Sequence, residues 1–384
     1  MPLKNNRIDS ARQPNRHALQ NHHALQNHHA LPVVDPGGSS GRSDVSALTQ
    51  QERPAFPLID RFGRLHRSLR VSVTDRCNLR CFYCMPEHGA EFAKRETLLS
   101  FEEIHRLVDL LVTRCGIRDV RLTGGEPLAR KDFPVLVEML AGVNGLKDLS
   151  LTTNGILLDE FAGPLRQAGL QRLNISLDTV DEQTFQQISR RKGIDKVIAG
   201  IDAAIETGFQ QIKLNTTAIK GVTESQVISL VRFAMERGVQ IRFIEFMPLD
   251  TDQQWRRQSV LSGQEIRAII EAEFGAMQTV NEVPDSQPAR EFRLGSGDEI
   301  GLIQSVTTPF CEACDRIRLT ADGSIRNCLF SQQEFPLRDA MRGGASDDEV
   351  LQMIAQAIEA KAAGHGINEA EFKPPERPMY SIGG

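Results

Sequence analysis

From Leu69 onward, short runs of apolar and β-branched residues alternate with segments of helical period, and this rhythm limits the fold more than any other feature of the chain. The runs are "LRVSVT", "VRLTGG", "LSLTTNG", "LNISLD", "IKLNTTAI" and "IRFIEFM". Between the first two lies "SFEEIHRLVDLLVTRCG", which opens on a capping box, Ser100 with Glu103, and closes at Gly116. "FPVLVEMLAG" follows the second run and "TESQVISLVRFAMERG" the fifth. Strands joined through helices pair in parallel, because a parallel pair needs a long crossover. Six units predict an α/β fold, an incomplete parallel (β/α)6 barrel over residues 60–250. In such folds ligands sit at the C-terminal ends of the strands. The polar stretches "TDRC", "TGGEP", "TTNG", "SLD" and "EFMP" all fall there.

Past Pro248 the rhythm stops, and residues 251–384 read as a separate C-terminal region. "LSGQEIRAIIEAEFG" predicts one more helix, "EFRLGSGDEIGLIQSVT" a hairpin around Gly295–Gly297, and Asp347–Ala360 a last helix. The turn signal Asp322-Gly323 predicts a second hairpin, which would fold Cys328 back toward Cys311 and Cys314. Residues 1–55 differ from the rest. Their first 50 residues contain no aromatic side chain, and "HALQNHHALQNHHAL" repeats between His17 and Leu31. Such a segment cannot bury enough apolar surface to offset its ordering entropy, which predicts a disordered extension. Its histidines leave metal binding open as a secondary role.

The chain has 384 residues, enough to bury a large core. No apolar run is long enough to cross a membrane, and "MPLKNNRIDS" lacks the apolar core of a secretory signal, so a cytoplasmic protein is expected. A net charge of −5 argues against nucleic acid as a partner and leaves any anionic ligand to a local set of arginines.

Seven cysteines, an odd number without a secretory signal, argue against a disulfide framework. Six form two groups of three: Cys77, Cys81 and Cys84 in "CNLRCFYC", and Cys311, Cys314 and Cys328 in "CEACDRIRLTADGSIRNC". Cys115, at the end of an amphipathic helix pattern, reads as a buried small hydrophobe. Each triad points to a metal or cluster. Zinc takes four ligands, which would require a further one, such as His88 for the first triad. A four-iron cluster held by only three thiolates keeps one iron open to an outside ligand. The residues alone leave both readings open.

The C-x3-C-x2-C spacing with Tyr83 before the last cysteine resembles the radical S-adenosylmethionine (SAM) superfamily, as does "TGGEP" at 123–127. "LRVSVTDRCNLRCFYCMPE", "LTTNGILL", "NISLDT", "IRFIEFMPL", the second triad and the C-terminal "GG" are similar to the GTP 3′,8-cyclase family within it, from about Asp60 to Gly384. The resemblance implies the radical SAM type of barrel and two [4Fe-4S] clusters, the second held in the C-terminal region by Cys311, Cys314 and Cys328. It implies that the open iron of the first chelates SAM, with Tyr83, Gly125, Glu126, Ser176 and Met247 around that cofactor. It implies a lyase that cyclises GTP in the first step of molybdenum cofactor biosynthesis. Arg70, Arg121, Thr152, Lys213, Arg316 and Arg318 would bind GTP, with Arg316 and Arg318 also catalytic, and Arg242 is a further candidate. Arginines two apart on a strand share a face, and a triphosphate needs several such donors. Implied partners are an external electron donor and a downstream cyclic pyranopterin monophosphate synthase; a homodimer is compatible with the sequence. Two rivals stay open: another radical enzyme with an auxiliary cluster, and a non-catalytic iron–sulfur or zinc protein.

Overall fold

The computed structural model describes residues 54–250, 255–280 and 286–383; the histidine repeat lies outside them. Strands β1 (Ser68–Ser72), β2 (Asp119–Thr123), β3 (Asp148–Thr153), β4 (Arg172–Ser176), β5 (Gln211–Ala218) and β6 (Gln240–Glu245) lie side by side in chain order, all parallel. They are joined through α1 (Phe101–Cys115), α2 (Phe133–Ala141), α3 (Leu158–Gln167), the pair α4 (Glu182–Ser189) and α5 (Ile194–Thr207), and α6 (Val227–Glu236).

Local chemistry sets the ends of α1. The Ser100 hydroxyl accepts from the Glu103 N–H, and the Glu103 carboxylate accepts from the Ser100 N–H at 2.7 Å. Such a cap is worth about 1 kcal/mol. Ile104, Leu107, Val108, Leu111 and Cys115 form the buried face. Burial pushes the Cys115 thiol up to about 12, so it is an inert core group, as its pattern suggested. Helix α6 begins later than its sequence pattern. The Thr223 hydroxyl accepts from Ile219 N–H and donates to the Thr217 carbonyl, both at 2.9 Å, and these bonds hold the preceding residues in turns.

The C-terminal region supplies α7 (Gly263–Phe274), β7 (Gln278–Thr279), β8 (Arg290–Arg293), β9 (Glu299–Ile303), β10 (Arg316–Leu319), β11 (Ser324–Arg326), β12 (Phe335–Pro336), α8 (Arg338–Arg342), α9 (Asp347–Glu359) and α10 (Met379–Ile382). Both expected hairpins form, β8 with β9 and β10 with β11. The parallel pattern does not end at Pro248, however. Strand β9 pairs in parallel with β6, and β10 pairs in parallel with β1. These additions were hidden because neither strand has a following helix of its own. They stand at opposite edges of the row, yet only the connector 304–315 separates them in sequence.

That connector carries Cys311 and Cys314, and Glu245 at the end of β6 pins its start. The Glu245 carboxylate accepts from the N–H groups of Val306 and Thr307, both at 2.8 Å, and from Gly263 N–H at 3.0 Å. No helix among the described residues is long and apolar enough to cross a membrane.

Candidate active site

One cavity of about 350 Å³ opens at the C-terminal ends of the parallel strands. It is bordered by residues from β1 through β6 and from the C-terminal region, including all six cysteines of the two triads. Residues more than 200 positions apart thereby face one space.

The first triad sits in the loop after β1. The neighbouring β2 loop holds that loop in place through two glycines. Gly125 N–H donates to the Thr74 carbonyl at 2.6 Å, and Glu126 N–H to the Arg76 carbonyl at 2.7 Å. A Cβ at Gly124 would fall 2.4 Å from the Thr74 oxygen, and one at Gly125 equally close to that of Arg76. Only glycine permits this approach. The pair therefore fixes the chain as it enters Cys77, besides leaving Gly125 on the cavity wall.

Glu126 is fully buried, does not line the cavity, and ties β2 to β3. Its carboxylate accepts from Asn154 N–H at 2.7 Å, from the Thr153 hydroxyl at 2.8 Å and from Leu128 N–H at 3.0 Å. Burial raises it to about 7 against the pull of those donors. Tyr83, Ser176 and Met247 do line the cavity. The Tyr83 hydroxyl donates to Asp178 at 2.5 Å, and Asp178 accepts in turn from Thr217 N–H at 2.8 Å. Asn154 reaches Cys77 Sγ at 3.6 Å through its side-chain amide. Asp178 and Asn154 were not singled out from sequence, although "SLD" and "TTNG" contain them.

Burial raises all three thiols of the first triad. Cys77, with Glu126 adding to the effect, stands at about 11, and Cys84 at about 12. Cys81 lies well above the ordinary thiol value, with Asp178 as its next-largest cause. Cys81 also feels both of its partners, so the triad acts as one group.

The second triad has a cationic setting. Burial would raise Cys314, but Arg316 and Lys361 overcome it and hold the thiol at about 6. Cys311 stays raised by burial. Cys328 follows β11, and its neighbour Asn327 donates to the Ala357 carbonyl at 2.7 Å, which docks this loop on α9. Among the described residues no three His, Cys, Asp or Glu side chains converge as ligands of a single ion would.

The same cavity is lined by a row of arginines. Arg318, Arg70 and Arg121 are direct neighbours across β10, β1 and β2. Burial, then Arg318 and Arg121, depress Arg70 far below its ordinary value. Burial likewise lowers Arg121 and Arg318 to about 10 and Arg242 to about 9. A guanidinium keeps its proton in proteins, so these shifts express the cost of burying positive charges beside one another, burial first, which a bound polyanion would offset. Arg316 lies over Phe310 at 4.9 Å and beside Cys314. Arg242, held by Asn215 at 2.9 Å and by Asn174 at 2.5 Å, also lines the cavity, as does Thr152. Lys213 does not; its ammonium lies 3.6 Å from Glu291 on β8.

The Radical SAM superfamily model matches residues 71–234, and the Molybdenum Cofactor Synthesis C model matches residues 239–367. A GTP 3′,8-cyclase of Rhodopirellula baltica is 58% identical over 85% of this chain and 92% of its own length. The chain belongs to the GTP 3′,8-cyclase family. Another member, from Corynebacterium glutamicum, is 45% identical over 85% of this chain and 89% of its own. A Streptomyces coelicolor member is 43% identical over 86% and 97%. Among solved structures, native anSMEcpe with bound AdoMet has a TM-score of 0.53 at 15% identity, covering 78% of this chain and 82% of that one. Streptococcus suis SuiB bound to S-adenosylmethionine has a TM-score of 0.50 at 14% identity, covering 83% and 75%. Both confirm the radical SAM fold. As a GTP 3′,8-cyclase family member and radical SAM enzyme, the chain uses SAM and an iron–sulfur cluster.

Proposed function

We propose that this chain cyclises GTP to (8S)-3′,8-cyclo-7,8-dihydroguanosine 5′-triphosphate, the first step of molybdenum cofactor biosynthesis. The observation that carries the reading is the meeting of two thiol triads and a row of arginines in one cavity. When bound, SAM and its cluster supply a 5′-deoxyadenosyl radical that can take the hydrogen atom from C3′ of GTP.

The protein binds, orients and excludes water. In this reading Cys77, Cys81 and Cys84 hold the first [4Fe-4S] cluster. Tyr83, Gly125, Ser176 and Met247 border the SAM space, and Glu126 braces that wall through its bonds to β3. Cys311, Cys314 and Cys328 would hold a second [4Fe-4S] cluster, which with only three protein thiolates would supply a site for the guanine. Arg70, Arg121, Arg316 and Arg318 receive the triphosphate, supported by Thr152 and Arg242. Lys213 joins them only by leaving Glu291. Residues 60–250 form the radical chamber and residues 251–384 the substrate side.

The balance is simple. C3′ loses a hydrogen atom and bonds to C8, and the nucleotide regains one electron and one proton. An external donor supplies the electron, and a downstream cyclic pyranopterin monophosphate synthase consumes the product. We place these steps in the cytoplasm.

The product is an isomer of GTP, so the test is anaerobic incubation of reconstituted protein with GTP, SAM and a low-potential reductant. Chromatography should resolve a new species of GTP mass, formed together with 5′-deoxyadenosine. Deoxyadenosine without that species would overturn the reading.

A further inference from the structure

Behind the second triad stands a buried network that the reaction above does not use. Lys361 follows α9 and is only 3% exposed. Its Nζ lies 3.6 Å from Cys314 Sγ and donates to the Arg316 carbonyl at 2.8 Å. On the other side it lies 2.9 Å from Nε2 of the fully buried His66. An ammonium group offers only donors, so Nε2 accepts, and the ring proton sits on Nδ1, 3.2 Å from the Leu58 carbonyl.

Arg64 completes the frame. It donates to Asp60 at 2.6 Å, to the carbonyls of Cys311 and Ala363 at 2.8 Å each, and to that of Ala362 at 2.7 Å. The main-chain N–H of His365 reaches Cys311. The stretch "KAAGH" at 361–365 thus contacts two of the three cysteines, and the segment around Asp60, Arg64 and His66 holds it there. A buried ammonium is costly unless its partners are fixed. An apolar residue would join these segments more simply. Besides the Arg316 carbonyl and His66, which fix it, the ammonium's remaining side-chain contact is the one to sulfur.

We propose that Lys361 is a positioning residue for the second cluster: fixed by His66, it donates a hydrogen bond to the sulfur of Cys314 and makes that cluster easier to reduce. The proposal rests on the reading that Cys311, Cys314 and Cys328 hold a cluster. An N–H···S bond and a nearby positive charge both draw electron density from the ligand and stabilise the added electron.

The test uses full-length protein in which Cys77, Cys81 and Cys84 are alanine, reconstituted with iron and sulfide without air. About four irons per chain are expected; a chain without iron refutes the cluster reading itself, separately from the role of Lys361. Adding Lys361→Met should keep the iron and lower the reduced-to-oxidised ratio at a fixed potential at least tenfold, about 59 mV for one electron. Lys361→Arg should restore most of that shift. Equal titrations of the parent and Lys361→Met proteins would overturn the proposal. If Lys361→Met loses its iron, His66→Leu decides, since it leaves the lysine and all three thiols in place. A shift to more negative potential there supports the role in tuning; an unchanged potential, or loss of iron there too, overturns it.

Discussion

The two cysteine triads line one cavity but differ in electrostatic setting, most sharply at Cys314. Around Cys77 and Cys81 the carboxylates of Glu126 and Asp178 add to the effect of burial, Arg80 opposes it at Cys77, and every thiol of the triad is pushed up. Around Cys314 the neighbours are Arg316 and Lys361, and that thiol is held at about 6. The rows of side chains behind them differ in the same way. Strands β10, β1 and β2 present Arg318, Arg70 and Arg121 in register, whereas Glu126 and Asp178 stand near the first triad. The difference teaches how the proposed function divides the cavity: in that reading a sulfonium with an ammonium group would suit the side of Glu126 and Asp178, and a triphosphate the arginine row.

The strongest way to break this division is to remove one triad at a time. Changing Cys77, Cys81 and Cys84 together to alanine should lower iron from about eight to about four per chain and stop deoxyadenosine formation altogether. Iron loss from both sites would show that the triads are not independent.

Next comes the arginine row. Arg318→Ala should cut GTP cyclisation about a hundredfold, near 2.7 kcal/mol, the range of a charged hydrogen bond. SAM cleavage without GTP should persist, and Arg318→Lys should recover only part, because a single ammonium cannot copy the planar fork. Equal loss of both reactions would mean that the cationic and acidic sides are not separate.

The chain terminus touches the same arginine. The Gly383 carbonyl accepts from Arg318 at 2.7 Å, and a Cβ at Gly383 would fall 2.6 Å from that of Ser72. Gly384 lies outside the described residues. Deleting both glycines should keep the iron and SAM cleavage while cyclisation falls at least about tenfold, roughly 1.4 kcal/mol. Full cyclisation would make the tail a spectator.

The thiols themselves sharpen the contrast in iron-free protein. Cys314, with a folded value of about 6, is already thiolate at pH 7, so its alkylation should hardly change from pH 7 to 8 and should fall below pH 6. Cys84, at about 12, should react far more slowly, with a rate that rises about tenfold per pH unit. Peptide mass mapping after brief iodoacetamide treatment reads both. The smallest effect concerns residues 1–50: removing them should leave activity within about twofold, because polar, repeat-rich segments add little to a core.

Much of this was legible in sequence because the signals are local. Period-2 and period-3.6 patterns marked β1 to β6 and most helices, and Ser100 with Glu103 marked the start of α1 within a few residues. The thiol spacings marked both triads, since three cysteines within one loop or hairpin need no distant partner to be noticed. What the sequence could not decide depends on pairing across long separations. That β9 and β10 extend the parallel row at opposite edges follows from packing against β6 and β1, and no periodicity reports it. The same holds for the partner of Lys213, Glu291 on β8, which lies 3.6 Å from its ammonium and which no local pattern announces. Glu126 reads as an open acceptor until three donors from β3 and its own turn surround it. Lys361, His66 and Arg64 lie in segments without pattern, and only the fold brings Lys361 to the sulfur of Cys314, His66 to Lys361 and Arg64 to the Cys311 carbonyl. Local periodicity is written by neighbours along the chain. The partner of a buried charge is chosen by whatever the tertiary structure places within about 3 Å, because burial makes that contact obligatory.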